Sequence, residues 1–584
     1  MKKFIVRFLA TIGFLSLLPV ILLLIIKVFN INVGPTIKSN TILTLDTSQD
    51  YPEHASGSLI KQALGKRELT FLQLISGIHK AKKDDRIKGL ILRTDEVALG
   101  FGQMEELRAA LQDFRTSGKF ILAYANSFGE MAAGTKSLYL ASNANKIMMQ
   151  PFSHVTLTGF HIDQPFLKNA LTKLGIEPQI LTRKEYKNAF AFLTDERFSE
   201  AHRQAMQSLL EDIFTTMTQS IAKGRELDPE LLHQATVNEI FISDSSAQEK
   251  GLIDALGYID EVRTTALKMA GLEDAQFEAI DMYITLAAAE KNPSTTDSKV
   301  ALIYGLGAIQ EGGRDERDLL NDELILSAEE TRQAFDEALE DPKVKTILLR
   351  LDTPGGSAVA SETVRRSVLQ AQAKGVPVIV SVGNVSASGG YWIMSPAHRI
   401  FADAMTITGS IGVIMGKMNF KKALENFDIN VDQLSVGENG SLSSPLSAYS
   451  ETQLEHLNRT LDLLYFRFKK IVSEGRKLNI DHVSEIAKGR VWSGIQAKKF
   501  GLVDQIGGIW DALTYIKQNL GLNPDDAITV QVFPAPKSTL QALRDALGTK
   551  PAVMVGLAKL NQWITKLTAS GSTKANLQAD IPEF

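Results

Sequence analysis

"DPKVKTILLR", residues 341–350, reads as a charged turn running into a buried strand, and "DDRIKGLILR" at 84–93 is an earlier version of it. Apolar runs this unbroken suit strands covered on both faces, as in a parallel sheet with helices on either side. Other stretches recur in the same order. "LASNANKI" (140–147) resembles "IMSPAHRI" (393–400), and "VTLTGF" (155–160) resembles "MTITGS" (405–410). "LKNALTKLGI" (167–176) resembles "FKKALENFDI" (420–429), and "AQEKGLIDALG" (247–257) resembles "AKKFGLVDQIG" (497–507). The offsets stay between 250 and 257 residues, so the chain is a tandem duplication of one unit. The first unit is read as residues 40–290 and the second as 298–536, joined by the polar "EKNPSTTDS" (290–298).

Within the second unit, "VALIYGLGAI", "KTILLRLD" and "VPVIVSV" read as strands, and "SAVASETVRRSVLQAQAKG" reads as a helix between the last two. Strands alternating with helices predict an α/β unit, with sites at the C-terminal ends of its strands. A longer amphipathic helix is expected over 449–478, with a counterpart over 198–227. Residues 537–584 contain helical patterns and a polar tail. That segment has three open readings: core packing, contact with a neighbouring subunit, or a place at the membrane surface.

The composition excludes several functions. The 584 residues carry 63 basic and 67 acidic side chains, a net charge of −4, so nucleic acid is not an expected partner. There is no cysteine, which removes disulfides, thiolate catalysis and cysteine metal sites. The nine histidines show no HExxH spacing, and no metal or other cofactor is expected. At the N-terminus, Lys2, Lys3 and Arg7 precede an apolar run from Phe8 to Ile26. That run is close to the roughly 20 residues a membrane-spanning helix needs. No small-residue cleavage pattern follows it, so residues 1–29 read as an uncleaved signal anchor. The flanking charges place the N-terminus in the cytoplasm and the rest of the chain outside it.

The chemistry emerges from differences between the two copies. "LDTPGGSAVASE" (351–362) ends a strand on Pro354-Gly355-Gly356 and opens a helix. Exposed backbone N–H groups beside a helix start could hold an oxyanion, although PGG alone favours the plainer reading of a tight turn with a helix cap. The first unit has "TDEVALGFG" (94–102) here, without the paired glycines. Ser410 in "TITGSIGV" (406–413) lies opposite Phe160, and Lys187 in "RKEYKNAF" lies opposite Gly440. The hydroxyl survives in one copy and the amine in the other, which suggests one site assembled from both. Ser388 in "SASGGYW" is a rival nucleophile, but a triad there would need a histidine, and His398, the nearest, is predicted in an exposed turn.

"DTPGGS", "SASGGYW", "TITGSIGV" and "EYKNAF", with the anchor and the duplication, make the chain resemble the signal peptide peptidase A (protease IV) family in its long two-repeat form. The resemblance implies a Clp-protease/crotonase-like fold. It implies Ser410 as nucleophile, Lys187 as general base, and the backbone N–H groups of Gly356 and Ser410 as oxyanion donors. It also suggests Ser435, in "QLSVG", as a serine that orients the lysine. The substrates it implies are cleaved signal peptides and other small apolar peptides. The assembly it implies is a homo-oligomer, a tetramer, held in the bilayer of the bacterial inner membrane by the N-terminal helix, with its catalytic part on the periplasmic side. Two other readings compete: an inactive scaffold or peptide-binding protein on the same fold, and an acyl-CoA enzyme. The second is disfavoured because a site outside the cytoplasm would lack CoA.

Overall fold

The computed structural model describes residues 36–55, 68–130, 133–290, 296–312 and 324–535. The expected anchor, the middle of the linker and the C-terminal segment from 537 lie outside the described residues. Among the described residues, no helix is long and apolar enough to cross a membrane.

The first unit's strands used below are β1 (Thr41–Asp46), β2 (Ile87–Arg93), β3 (Phe120–Ala125), β4 (Lys146–Met149), β5 (Glu177–Arg183), β6 (Ala255–Leu256) and β7 (Gln276–Ala279). All but β5 form one parallel sheet in the order β6-β4-β3-β2-β1-β7. The second unit has β8 (Lys299–Leu306), β9 (Val344–Thr353), β10 (Val378–Ala387), β11 (Arg399–Ala402), β12 (Ile407–Gly409), β13 (Val413–Asn419), β14 (Val491–Ser493), β15 (Gln505–Ile506) and β16 (Thr529–Phe533). Its parallel strands run β15-β11-β10-β9-β8-β16, the same order as in the first unit. The duplication therefore reaches the level of topology. The two stretches that reveal it in sequence, 84–93 and 341–350, lead into or span β2 and β9, one strand in from the edge pair in each sheet. In β9, Ile347 to Leu351 are all buried, as a strand with helices on both faces requires.

The helices used below are α1 (Phe101–Arg115), α2 (Glu200–Arg225), α3 (Ala358–Ala373), α4 (Gly389–Met394) and α5 (Glu451–Arg476). The long helices α2 and α5 are 26 residues each and are capped alike. Ser199 and Ser450 accept N–H bonds at their starts, and a left-handed residue, Glu226 or Lys477, ends each.

The units are joined through a buried polar junction. Arg350 of β9 is fully buried and pairs with Glu53 (2.8 Å) and with Glu106 of α1 (2.6 Å). Glu106 also accepts from the Ile509 N–H (2.7 Å), and Glu105 accepts from the Met405 N–H (2.6 Å). The second unit's Met405 thereby enters the first unit's apolar core. Asp403 is buried nearby, and its Oδ2 has no hydrogen-bond partner. Burial, with Glu106 and Glu105 close by, pushes the Asp403 carboxyl well above the usual range, and burial lifts Glu105 to about 7. Ser493 donates to Asp212 of α2 (2.6 Å), and Gln496 donates to Ser208 (2.9 Å), which extends the junction along the long helix.

Candidate active site

β5 of the first unit and β13 of the second form a two-stranded antiparallel ladder, from Val413 opposite Arg183 to Asn419 opposite Glu177. Ser410 lies three residues before that ladder and Lys187 four beyond it, so both arrive at the same end. Arg183 holds β5 onto α5 through Asp462 (2.6 Å) and Asn458 (2.8 Å). The Tyr186 N–H donates to the Lys488 carbonyl (3.1 Å), which ties the segment before Lys187 to the second unit. Gly489, at φ 82°, lies against Lys187. A Cβ on it would fall 2.6 Å from the lysine Cβ and 2.7 Å from its N, so only glycine fits.

Lys187 is 6% exposed. Its Nζ is 2.8 Å from Ser410 Oγ, 3.1 Å from the Ser410 carbonyl and 3.0 Å from Ser388 Oγ. Burial alone lowers the amine from its ordinary 10.5 to about 8, because no carboxylate is close enough to hold the charge. Ser410 has φ 52° and Ser388 has φ 55°, a region non-glycine residues seldom occupy. Two such serines on one amine mark a spot where the surrounding structure maintains local strain. Ser388 precedes α4, and its N–H donates to the Gly409 carbonyl (2.9 Å), immediately before Ser410.

The Pro-Gly-Gly turn lies alongside. Ile309 N–H donates to the Gly355 carbonyl (3.0 Å) and Ser357 N–H to the Ile309 carbonyl (2.9 Å), while Gly355 N–H donates to Thr353 Oγ1 (3.1 Å). The N–H of Gly356 is left out of this pattern. A Cβ on Gly356 would lie 2.3 Å from the Ile309 carbonyl oxygen, so the turn demands glycine. Ser357 then caps α3, whose positive end faces the same turn.

Two expected assignments are corrected. The Ser410 N–H, expected as an oxyanion donor, donates to the Arg490 carbonyl (2.7 Å). It continues the antiparallel β12–β14 pairing, in which Gly409 faces Val491. Ser435, expected to orient the lysine, lies exposed in an irregular stretch, and the second hydroxyl on Lys187 is that of Ser388. Ser435 sits in the repeat counterpart of β5, and that counterpart is not a strand here. His398 is exposed, as its predicted turn requires. Phe160, opposite Ser410 in the repeat, packs edge-on against Phe101 and Phe214. Among the described residues, no group of three or more histidine, aspartate or glutamate side chains could hold a metal ion.

The profile of Peptidase family S49 matches residues 113–273 and 370–523, one stretch in each unit. The chain belongs to peptidase family S49. It is 30% identical over 476 residues to Protease 4 of Salmonella typhi, covering 79% of this chain and 74% of that one. Protease 4 of Haemophilus influenzae is 31% identical over 485 residues, with 79% and 75% covered. A chloroplastic serine protease SPPA of Arabidopsis thaliana is 28% identical over 519 residues, with 87% and 74% covered. The two-unit S49 chain is thus a serine peptidase, with an α/β domain present twice.

Proposed function

We propose that this S49 peptidase cleaves peptide bonds with Ser410 as nucleophile and Lys187 as general base, through an acyl-enzyme. The observation that carries the reading is the 2.8 Å contact between Lys187 Nζ and Ser410 Oγ, made by an amine that burial has brought down to about 8. Near neutral pH a useful fraction of the amine is uncharged and can take the hydroxyl proton as Ser410 attacks a carbonyl. Gly356 N–H, beside the start of α3, stabilises the resulting oxyanion, an interaction worth about 3–4 kcal/mol in comparable hydrolases. Lys187 then returns the proton to the leaving amine, and water enters to release the acyl group. Arginine could not replace this lysine, because its proton does not leave in the same range.

The substrates of the proposal are cleaved signal peptides and other small apolar peptides, met as they leave the bilayer. The chain is anchored by its N-terminal apolar run in the bacterial inner membrane, with the two units on the periplasmic side. It self-associates, as a tetramer by family resemblance. Exposed apolar side chains support self-association through a second use of the junction inside the chain. Leu434 and Val436, in the counterpart of β5, are fully exposed. Leu463 and Phe466 of α5 are about half exposed, at positions where α2 has Asp212 and Thr215. On the first unit, Phe152 and Phe241 are exposed at the antiparallel pair His154–Thr156 and Phe241–Ser243, which repeats β12 and β14.

The test is hydrolysis of a fluorogenic peptide with an apolar residue before the scissile bond. Wild type should cleave it, and Ser410→Ala and Lys187→Ala should each abolish cleavage while the fold persists. Cleavage by either variant overturns the dyad. Replacing Leu434 and Val436 together by aspartate should lower the mass seen in sedimentation, and an unchanged mass removes the proposed contact.

A further inference from the structure

Ser388 shares the Lys187 amine with Ser410. A neutral amine carries two N–H bonds and one lone pair. Lys187 Nζ has three oxygen neighbours: the Ser410 carbonyl at 3.1 Å, Ser410 Oγ at 2.8 Å and Ser388 Oγ at 3.0 Å. The carbonyl can only accept, so it takes one N–H. If Ser410 is to lose its proton, its hydroxyl must donate to the lone pair. The remaining N–H then has one destination, Ser388 Oγ. We propose that Ser388 is a positioning residue, whose hydroxyl accepts from Lys187 and so turns the amine's lone pair onto the Ser410 hydroxyl. The proposal rests on the Ser410–Lys187 reading above.

The surroundings of Ser388 suit that task. Its N–H is bound to the Gly409 carbonyl (2.9 Å), and its own carbonyl accepts from Trp392 N–H (3.0 Å). Its φ is 55°, and Gly355 packs against it so closely that a Cβ there would come within 2.8 Å of the Ser388 Cβ. The hydroxyl is thus carried on backbone that also fixes the residue before the nucleophile. The bond to the Gly409 carbonyl ties the backbone of Ser388 to the residue before Ser410. Without the Ser388 hydroxyl, rotation about the last bonds of the lysine would present an N–H to Ser410 Oγ as readily as the lone pair.

The experiment uses the full chain, a fluorophosphonate probe and the fluorogenic peptide. Wild type and Ser388→Ala should both carry the probe on Ser410 when the labelled peptide is mapped. Ser388→Ala should lower kcat and the labelling rate on the order of 10²-fold, the scale of a small misplacement of a reacting group, with KM little changed. In a Lys187→Met background the same Ser388→Ala change should leave the slow residual labelling unaltered, because no lone pair remains to be aimed. A merely structural serine would cost the same factor in both backgrounds. Ser388→Gly, which accepts the positive φ, serves in place of Ser388→Ala should that variant fail to fold. Wild-type labelling by the variant, an equal loss in both backgrounds, or a probe adduct on Ser388 itself overturns the proposal. Peptide cleavage by Ser410→Ala would instead remove the dyad reading on which it stands.

Discussion

Lys187→Met separates the catalytic and energetic consequences of one buried amine. The ordinary lysine amine titrates at 10.5, and in this site it titrates at about 8. That difference corresponds to about 3 kcal/mol of disfavoured charge. The folded chain binds this proton more weakly than the unfolded chain, so stability rises with pH wherever the two differ. Below about pH 8 both states hold the proton and the full penalty is present. Between about 8 and 10.5 only the unfolded chain keeps it and the penalty fades; above 10.5 it is gone. Methionine has similar length and no charge. It leaves two serine hydroxyls short of a partner, an offset of about 1 kcal/mol. Lys187→Met should therefore be more stable than wild type by about 2 kcal/mol at pH 7, which is about 4 °C in Tm for a unit of this size. The advantage should disappear by pH 10.5. The variant should cleave no peptide, while wild-type kcat/KM climbs about tenfold per pH unit below 8 and then levels. Thermal unfolding and peptide hydrolysis across pH 6–10 measure both. A variant less stable than wild type at pH 7, or a flat wild-type activity profile, would refute the reasoning.

Other outcomes follow from the same geometry. Gly356→Ala must push the Ile309 carbonyl away from its 2.3 Å approach, and should lower kcat by about 10²–10³-fold without a matching rise in KM, read by steady-state kinetics. Leu181→Pro, in the middle of the ladder with β13, removes an interstrand N–H and should abolish cleavage while circular dichroism still reports two folded units. Asp403 binds its proton more tightly folded than unfolded, so its contribution is lost as pH rises above the ordinary carboxylate range. Asp403→Asn should match wild type near pH 4 and be the more stable protein at pH 8 by urea unfolding.

The duplication was legible because buried strands tolerate few residue types, so the paired stretches stay recognisable and the two sheets share one strand order. The meeting of Ser410 with Lys187 was legible for a different reason: each copy had lost what the other kept. Ser388 was harder to place. It stood out only as a rival nucleophile, and nothing local says that a lysine 201 positions away ends on its hydroxyl. The engaged N–H of Ser410 was hidden for a similar reason, since its acceptor, Arg490, arrives from a strand late in the chain. Glu105 and Glu106 stand on α1, and nothing beside them in the sequence marks them as part of a junction. Glu106 is buried and Glu105 half-buried because the second unit covers the face that carries them.

The ladder between β5 and β13 also sets an order in time. A ribosome delivers the amine first and the hydroxyl 223 residues later, and the strand that joins them follows the hydroxyl. If Lys187 is the base for Ser410, as proposed, a half-made chain is chemically silent, because its amine has no alcohol to deprotonate. On the proposed dyad, competence to cut arrives only once the ladder has brought the second unit's hydroxyl onto the first unit's amine.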